Sequence, residues 1–487
     1  MIPSLPTLLV LVPLLGALGC VSLPATPRHL ASALGILMML LLSAYGLHLH
    51  LSSAVLIESA TLMGLGLRLD GLALVFVLMT SAIAALCSLQ ARLYFDQQRD
   101  ALAAFWPLFW LLWAGLNGVW LSRDLFSLYL SMEVLALAAT LLMSLRGQKN
   151  SFGAALRYLQ AVLLGTLLFF IGALLVFIDL GSLALQDLNQ QWGQMGRLGL
   201  ALITVGLLYR AALFPLHTWL PPAHGSAHAP ISALLSALVT KASFYILLRI
   251  WLNGGAAVST VAAAQFLGAL GAIAIIWGGW MACRQRELKP LVAYSSVNQV
   301  GYFFLFFPLI VGTSASVTAL ASQAAVLQLL SHAFAKAAVF LAIGNLIVAT
   351  GSNRVSGLSG ISSAMPLSLF SFGLAGVSLM GLPPSGGFMA KWTFVQAMVA
   401  SGQWWWIAVI IGGGLLSAAY VFRIFRQSFF PRGDRPALKP TPLSSDVAPF
   451  VLACLSVGLG LVSLWPLSLA FDLQLTGVSA ALVGGVA

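Results

Sequence analysis

Charge is what this chain lacks. Only 7% of its 487 residues are Asp, Glu, Lys or Arg, against about a quarter in an ordinary soluble domain. With 60% hydrophobic residues and a mean hydropathy of +0.99, that scarcity excludes a soluble globular protein. It leaves an all-α polytopic membrane protein. Cysteine is equally sparse: Cys20, Cys87, Cys283 and Cys454 stand far apart with no CxxC, which argues against a zinc or iron–sulfur site and against a disulfide framework. No redox-cofactor motif is present, so no cofactor is expected in this chain. The first basic residue is Arg28. The apolar start "MIPSLPTLLVLVPLLGALGC" therefore reads as a retained first helix and not as a cleaved signal. No charged linker is long enough to hold a soluble domain.

What is there is a succession of apolar runs. A crossing needs about 20 apolar residues, and by that rule fourteen spans are predicted, from the first near 3–24 to the last near 446–470. The eleventh (316–349) and twelfth (364–400) exceed one crossing. A broken helix at "GLPPSGGF" explains the twelfth, and a tilt or kink is expected in the eleventh. Fifteen Lys and Arg residues fall in loops after odd-numbered spans, including Arg92, Arg146, Arg286, Arg354 and Arg426. Only Arg68, Arg123, Arg197 and Arg249 follow even-numbered ones. That bias predicts odd loops in the cytoplasm and both termini outside. It also accounts for most of the net charge of +11, so no nucleic-acid partner is expected.

Four basic residues escape the loops: Arg210, Lys241, Lys336 and Lys391. Among the twelve acidic residues, only Glu133 lies well inside a span. It is nine residues past Asp124, roughly 13 Å deeper at the helical rise. A charge in the hydrocarbon costs about 2.5–3.5 kcal/mol on insertion scales. For Arg249 and Arg423, near span ends, a packing ion pair or a snorkelling side chain suffices. Glu133 and Lys241 are too deep for that and predict a polar pathway, with Lys336 and Lys391 close behind. Gln328, His332 and Lys336 are spaced four apart and share one helix face. Ser232, Ser236 and Thr240 run up to Lys241, and the tenth span holds Ser295, Asn298, Gln299 and Tyr302. One such stripe is ordinary interhelical hydrogen bonding; several with embedded charges predict a proton relay. Lysine suits a relay because burial can bring its proton affinity towards neutrality. Arginine stays protonated and does not.

Histidines and prolines cluster in "FPLHTWLPPAHGSAHAP". His224 and His228 are four apart, but no Cys, Asp or Glu lies nearby to complete a metal site. They read as loop residues facing the cytoplasm. His217 and His332 lie inside spans; neither has an evident partner for a haem, and His217 is expected to lie at the ion path. Pro215, Pro221 and Pro222 break the seventh span; Pro383 and Pro384 break the twelfth. Broken helices are tolerated in a bilayer where they are buried or line a cavity. At corresponding positions of two halves they point to an inverted repeat around an ion path. The whole chain, 1–487, then forms a single transmembrane domain. Three helices (1–100) precede a first repeat of helices 4–8 (101–252) and a second of helices 9–13 (260–424). Helix 14 and a tail (446–487) follow.

"RAALFPLHTWLPPAHGSAHAPISALLSALVTKASFYILLR" resembles the seventh-to-eighth helix region of the antiporter-like subunits. These include the proton-pumping subunits of respiratory complex I and the A and D subunits of Mrp-type sodium/proton antiporters. "LYLSMEVLALAATLL", "LSHAFAKAAVFLAIGNL" and "GLPPSGGFMAKWTF" resemble the same family. The resemblance covers spans five to twelve and implies fourteen helices, two inverted five-helix repeats, and broken helices seven and twelve around a hydrated axis. It implies that Glu133, Lys241 and Lys391 are the ionisable residues of the fifth, eighth and twelfth helices, and that His332 and Lys336 are the polar positions of the eleventh. One departure stands out: where the family usually has a lysine, five residues before the proline of "FPLHTWLP", this chain has Arg210. Arg210 is expected to act as a fixed partner to Glu133.

The expected function is that of a proton-translocating subunit in a multisubunit complex of a bacterial inner membrane. Its partners are other membrane subunits, protons, and sodium or another monovalent cation. The lysine of the twelfth helix and the overall length resemble the D type of Mrp component most. The alternatives are the proton-channel subunit of a complex I-like quinone oxidoreductase or membrane-bound hydrogenase, and the membrane subunit of an inorganic-carbon uptake complex. No catalytic chemistry of its own is expected.

Overall fold

A computed structural model describes residues 4–53, 58–62, 64–430, 438–439 and 441–471. The N-terminal helices are α1 (Leu5–Ser22) and α2 (Ala25–Ser53), followed by a hairpin of β1 (Glu58–Leu62) and β2 (Leu65–Leu69). Next come α3 (Gly71–Tyr94), α4 (Arg99–Leu121), α5 (Leu125–Ser144), α6 (Lys149–Leu180) and α7 (Gln194–Ala211). The middle of the chain holds α8 (Leu220–Ser226), α9 (Ala229–Leu234), α10 (Thr240–Ile250) and the one-turn α11 (Ala256–Val258). Then follow α12 (Val261–Arg284), α13 (Leu288–Phe304), α14 (Ala315–Thr350), α15 (Pro366–Met380) and α16 (Gly386–Ala400). The last are α17 (Trp405–Phe429), α18 (Val447–Gly458) and α19 (Leu464–Phe471).

Among the described residues eleven helices are long and apolar enough to cross a membrane. The protein is an integral, multi-pass, nearly all-helical membrane protein. The stretches predicted as the tenth, twelfth and fourteenth spans are helical too, but in shorter pieces: α13, α15 with α16, and α18 with α19. α14 is one unbroken helix of 36 residues, so a mid-helix break is not what lengthens the eleventh stretch.

Small residues set how closely the helices approach, as expected where lipid supplies no hydrophobic drive between them. A Cβ on Gly172 of α6 would lie 2.5 Å from the carbonyl oxygen of Gly199 on α7. The indole of Trp110 on α4 fills the space left by Gly16 of α1 and Gly35 of α2, where a Cβ would come within 2.8 Å of the ring. Polar ties fix the register of these helices: Trp110 Nε1 donates to Ser32 Oγ at 3.3 Å, Trp120 Nε1 to Thr80 Oγ1 at 2.9 Å and Asn117 Nδ2 to the Leu9 carbonyl at 2.7 Å.

The hairpin was not foreseen. Its strands pair antiparallel, Glu58 opposite Leu69, and the Gly66 amide donates to Ser127 Oγ at 3.1 Å, docking it on the start of α5. One segment is enclosed on every side. From Ala227 to Leu248 each residue is buried, so this central helix meets protein all round, its polar stripe of Ser232, Ser236, Thr240 and Lys241 included.

Candidate functional site

The central helix is not a regular α-helix. Between α9 and α10 it widens into a π-turn, Leu235–Val239, a form that recurs at functional positions because it loosens the backbone bonding. The Ser236 carbonyl accepts from Thr240 Oγ1 at 3.2 Å and from Lys241 Nζ. Lys241 is wholly buried. On the same turn Ser236 Oγ meets Ser296 Oγ of α13 at 3.1 Å, and Ser296 Oγ donates to the Val292 carbonyl at 3.2 Å. That carbonyl also accepts from Lys336 Nζ of α14 at 3.0 Å, and the same ammonium donates to Ser295 Oγ. Lys241 and Lys336 are thus joined through one polar strip of α13.

On the same face of α14, beyond the unbonded His332, a second polar run begins at Gln328. Gln328 Nε2 donates to Gln299 Oε1 at 3.1 Å, and Gln299 Nε2 to the Leu379 carbonyl at 3.0 Å. Leu379 and Met380 close α15, where carbonyls have no helical partner. Lys391 Nζ of α16 takes both, at 2.9 Å and 3.0 Å, beneath the Tyr302 ring at 4.5 Å. The break at Pro383 and Pro384 therefore does two things: it ends α15 with open acceptors, and it turns α16 so that its lysine reaches them. Gly381 makes that end possible with a φ of 80°, and a Cβ there would sit 2.6 Å from Lys391 Cδ. The charges of Lys241, Lys336 and Lys391 all act on the His332 ring, whose two nitrogens have no protein partner.

The first-half residues sit apart from this line. α7 ends at Ala211 and is interrupted at Ala212, at φ 57°, inside one long span of Gln194–Ser226. The turn holding Pro215 and His217 follows, and Pro221 and Pro222 start α8. Arg210, buried on the last turn of α7, donates to the Met132 carbonyl at 3.1 Å and the Val162 carbonyl at 3.3 Å. Glu133 acts on it through its charge without touching it. The expected partnership with Glu133 is therefore a field effect and not an ion pair, because main-chain carbonyls occupy the guanidinium. Glu133 itself is half-buried. His217 faces a cavity of about 550 Å³ shared with Arg146, Arg157, Glu287 and Tyr294, off the lysine line.

Two expectations need correction. His224 is not a loop residue: it lies in α8, 1% exposed, with its ring 4.9 Å from Phe340. His228 is also buried, although it stands between two crossings, with its ring 4.9 Å from Phe95. Burial, with the charges of Lys289 and Arg146, pushes its imidazole down to about 4. A base neutral in the fold and charged when unfolded stabilises fully above about pH 6.5, its ordinary value. That contribution is lost as pH falls towards and through 4. The thermal midpoint of the solubilised protein should drop from pH 7 to pH 4.5, and His228→Gln should flatten part of that drop, worth about 2 kcal/mol. Equal slopes in both proteins would remove His228 from the account.

Arg249 makes the packing ion pair that sufficed to explain it, but its partner was not foreseen. Asp70 accepts from Arg249 Nη1 at 2.8 Å and Nη2 at 2.5 Å. Arg249 Nε donates to Tyr245 Oη at 2.9 Å, and that hydroxyl donates to the Trp120 carbonyl at 2.7 Å. The pair ties α10 to the start of α3.

Residues 122–417 match the family described as NADH:quinone oxidoreductase/Mrp antiporter, transmembrane. The N subunit of the NADH-quinone oxidoreductase of Desulforudis audaxviator is 37% identical over 348 residues, 70% of this chain and 68% of that one. The D subunit of the Na(+)/H(+) antiporter of Bacillus subtilis is 28% identical over 411 residues, 82% of this chain and 80% of that one. The fold is similar to a chain of the Mrp complex from Dietzia, with a TM-score of 0.83 at 22% identity and 96% of each chain covered.

Proposed function

The chain belongs to the NADH:quinone oxidoreductase/Mrp antiporter transmembrane family, and from that premise we propose that it exchanges protons for sodium or another monovalent cation as a D-like Mrp member of a multisubunit complex. The observation that carries this reading is a pair of hydrogen-bonded polar runs, Lys241 through Ser236 and Ser296 to Lys336, and Gln328 through Gln299 to Lys391, with the unbonded His332 between them on α14. Three ammonium groups close enough to act on one histidine cannot all hold their protons at equal cost, since like charges disfavour one another. A proton arriving at one end favours release at the other. His332 and Gln328 supply groups that water can bridge. A buried nitrogen left dry costs about 1–3 kcal/mol, so the open nitrogens of His332 favour a hydrated path.

In this reading Arg210 holds a permanent positive charge beside Glu133 and passes no proton. His217 stands where the aqueous cavity meets the seventh-helix break and links cytoplasmic water to the interior. The chain crosses the bacterial inner membrane fourteen times, with both termini outside. Helices 4–8 and 9–13 form two inverted repeats. Each half opens on a close glycine crossing: a Cβ on Gly115 of α4 would lie 2.9 Å from the Leu135 amide nitrogen of α5, and one on Gly271 of α12 2.7 Å from the Gly301 carbonyl of α13.

Purified complex in sodium-loaded vesicles is expected to move protons only when a sodium gradient is present. Proton movement indifferent to every monovalent cation rejects antiport. The 37% identity to a protein named as part of a quinone oxidoreductase favours a second reading, in which the same line conducts protons for a redox-driven complex. Co-purification with iron–sulfur or flavin subunits selects it.

A further inference from the structure

The exposed side of α17 carries a feature that transport does not use. Ile411, Leu415, Phe422 and Phe429 are exposed along it, four and seven residues apart, one face of a helix. An apolar cavity of about 700 Å³ runs along the last three turns between Ala419 and Phe430. Arg423 and Arg426 line it, and both also line a second cavity of about 510 Å³ with Arg286 and Arg354. The two cavities are therefore contiguous, one aromatic and one cationic, and they meet at two guanidinium groups.

The cationic side is poorly neutralised. Its one carboxylate among the described lining residues, Glu287, accepts from Asn353 Nδ2 at 3.1 Å and offsets one of the four guanidinium charges. Arg423 is spent on the Cys283 carbonyl. Among the described residues the guanidinium groups of Arg286, Arg354 and Arg426 have neither a hydrogen-bond partner nor an ion pair; the ion pairs there are those of Asp70 with Arg68 and Arg249. Guanidinium does not shed its proton, so three or four like charges facing one cavity call for an anion. Its planar fork suits phosphate oxygens. An anion that also fills the aromatic groove must carry an alkyl chain.

We propose that this paired cavity is a binding site for an anionic phospholipid. The phosphate lies among Arg286, Arg354 and Arg426, and one acyl chain lies along Phe422 and Phe429. Basic pockets between transmembrane helices at a membrane surface bind such headgroups, each cation adding to the attraction. The site would couple α17 and the loops after α12 and α14 to the surrounding membrane.

The test uses the purified complex, delipidated in detergent and titrated separately with dioleoylphosphatidylglycerol, dioleoylphosphatidylcholine and glycerol 3-phosphate. Binding is read by native mass spectrometry. The anionic lipid is expected to bind about tenfold or more tighter than the zwitterionic one, from the summed attraction of several cations. Arg286→Gln with Arg354→Gln and Arg426→Gln should abolish that preference. Phe422→Ala with Phe429→Ala should weaken phosphatidylglycerol and leave glycerol 3-phosphate unchanged. If the triple variant does not accumulate, Arg426→Gln alone is expected to reduce the preference severalfold. Equal binding of the two lipids by the unaltered protein overturns the proposal. So does glycerol 3-phosphate binding as tightly as the lipid, which makes the site one for a soluble phosphate. A photo-crosslinker at Phe422 that labels a neighbouring protein instead of lipid in the assembled complex also overturns it.

Discussion

Replacing Lys241 with alanine is expected to abolish proton translocation while leaving the protein assembled in the membrane. Lys241 is wholly buried and begins the polar line, holding the Ser236 carbonyl of the π-turn. Its removal takes away a proton-accepting group that no neighbour on the central helix can replace. Loss of a positioned proton-transfer group costs about 10²- to 10⁴-fold in rate, so transport should fall to background. Assembly should survive because Lys241 has no carboxylate partner to strand. Exchanging a lone buried charge for an apolar group relieves a desolvation penalty. Lys241→Arg sharpens the result: it keeps the charge but cannot release the proton, and it should be as inactive as alanine. Proton uptake by reconstituted vesicles, with membrane abundance measured alongside, decides this. Normal uptake in either variant removes Lys241 from the path and with it the shared basis of both functional readings.

Asp70→Asn should have the largest effect on stability. Asparagine keeps the hydrogen bond by which Asp70 caps α3, where the Ala73 amide donates at 3.0 Å, because both side chains serve as N-caps. What it removes is the negative charge opposite Arg249. Breaking a fully buried pair from one side costs about 3–5 kcal/mol; Arg249 and Asp70 keep 18% and 16% of their side chains exposed, which makes that the upper bound here. The thermal midpoint should fall by several degrees or more. Asp70→Asn with Arg249→Met should recover most of it, and a double variant as unstable as the single would mean the hydrogen bonds and not the charges matter. Burial alone would raise the Asp70 carboxyl, but the Arg249 guanidinium outweighs it and holds the group below the ordinary carboxylate value. The pair therefore stabilises fully above the unfolded carboxyl's range near 4 and is lost only as pH falls through the lowered value. A neutral-pH assay sees its whole contribution.

Much of this was legible because charge is so rare in the chain. Four basic residues inside apolar runs, and one deep glutamate, could be found by subtraction. Lys241 and Lys336 share one hydrogen-bonded run, and Lys391 belongs to a second beyond the unbonded His332. The break at Pro383 and Pro384 was readable because two adjacent prolines end a helix; in the seventh span the adjacent pair Pro221 and Pro222 instead begins α8, and the interruption lies before it, between Ala211 and Pro215. Contacts between distant segments were not readable. Asp70 and Arg249 are 179 residues apart, and each alone looks like an ordinary span-end residue. The hairpin escaped because five-residue strands such as "LGLRL" carry too little alternation to separate from a loop. His224 was misplaced because the small residues around it, "AHGSAHA", read as a turn, whereas they let α8 pack closely beside Phe340. Arg210 was placed correctly, but its partners are main-chain carbonyls, which no residue pattern announces.

The enclosure of the central helix bears on how the protein is made. Lys241 sits in a segment whose polar side is covered by α13 and α14, and synthesis proceeds from the N-terminus. When the Ala229–Leu248 stretch leaves the ribosome, the helices that shield its serines and its lysine do not yet exist. A lone lysine at mid-bilayer costs about 2.5–3.5 kcal/mol to insert. The segment must therefore wait, held by the insertion machinery or against α3 and α7, until roughly a hundred further residues have been added. Truncated chains ending before α14 should be retained by that machinery and degraded, whereas chains ending after it should be released into the membrane.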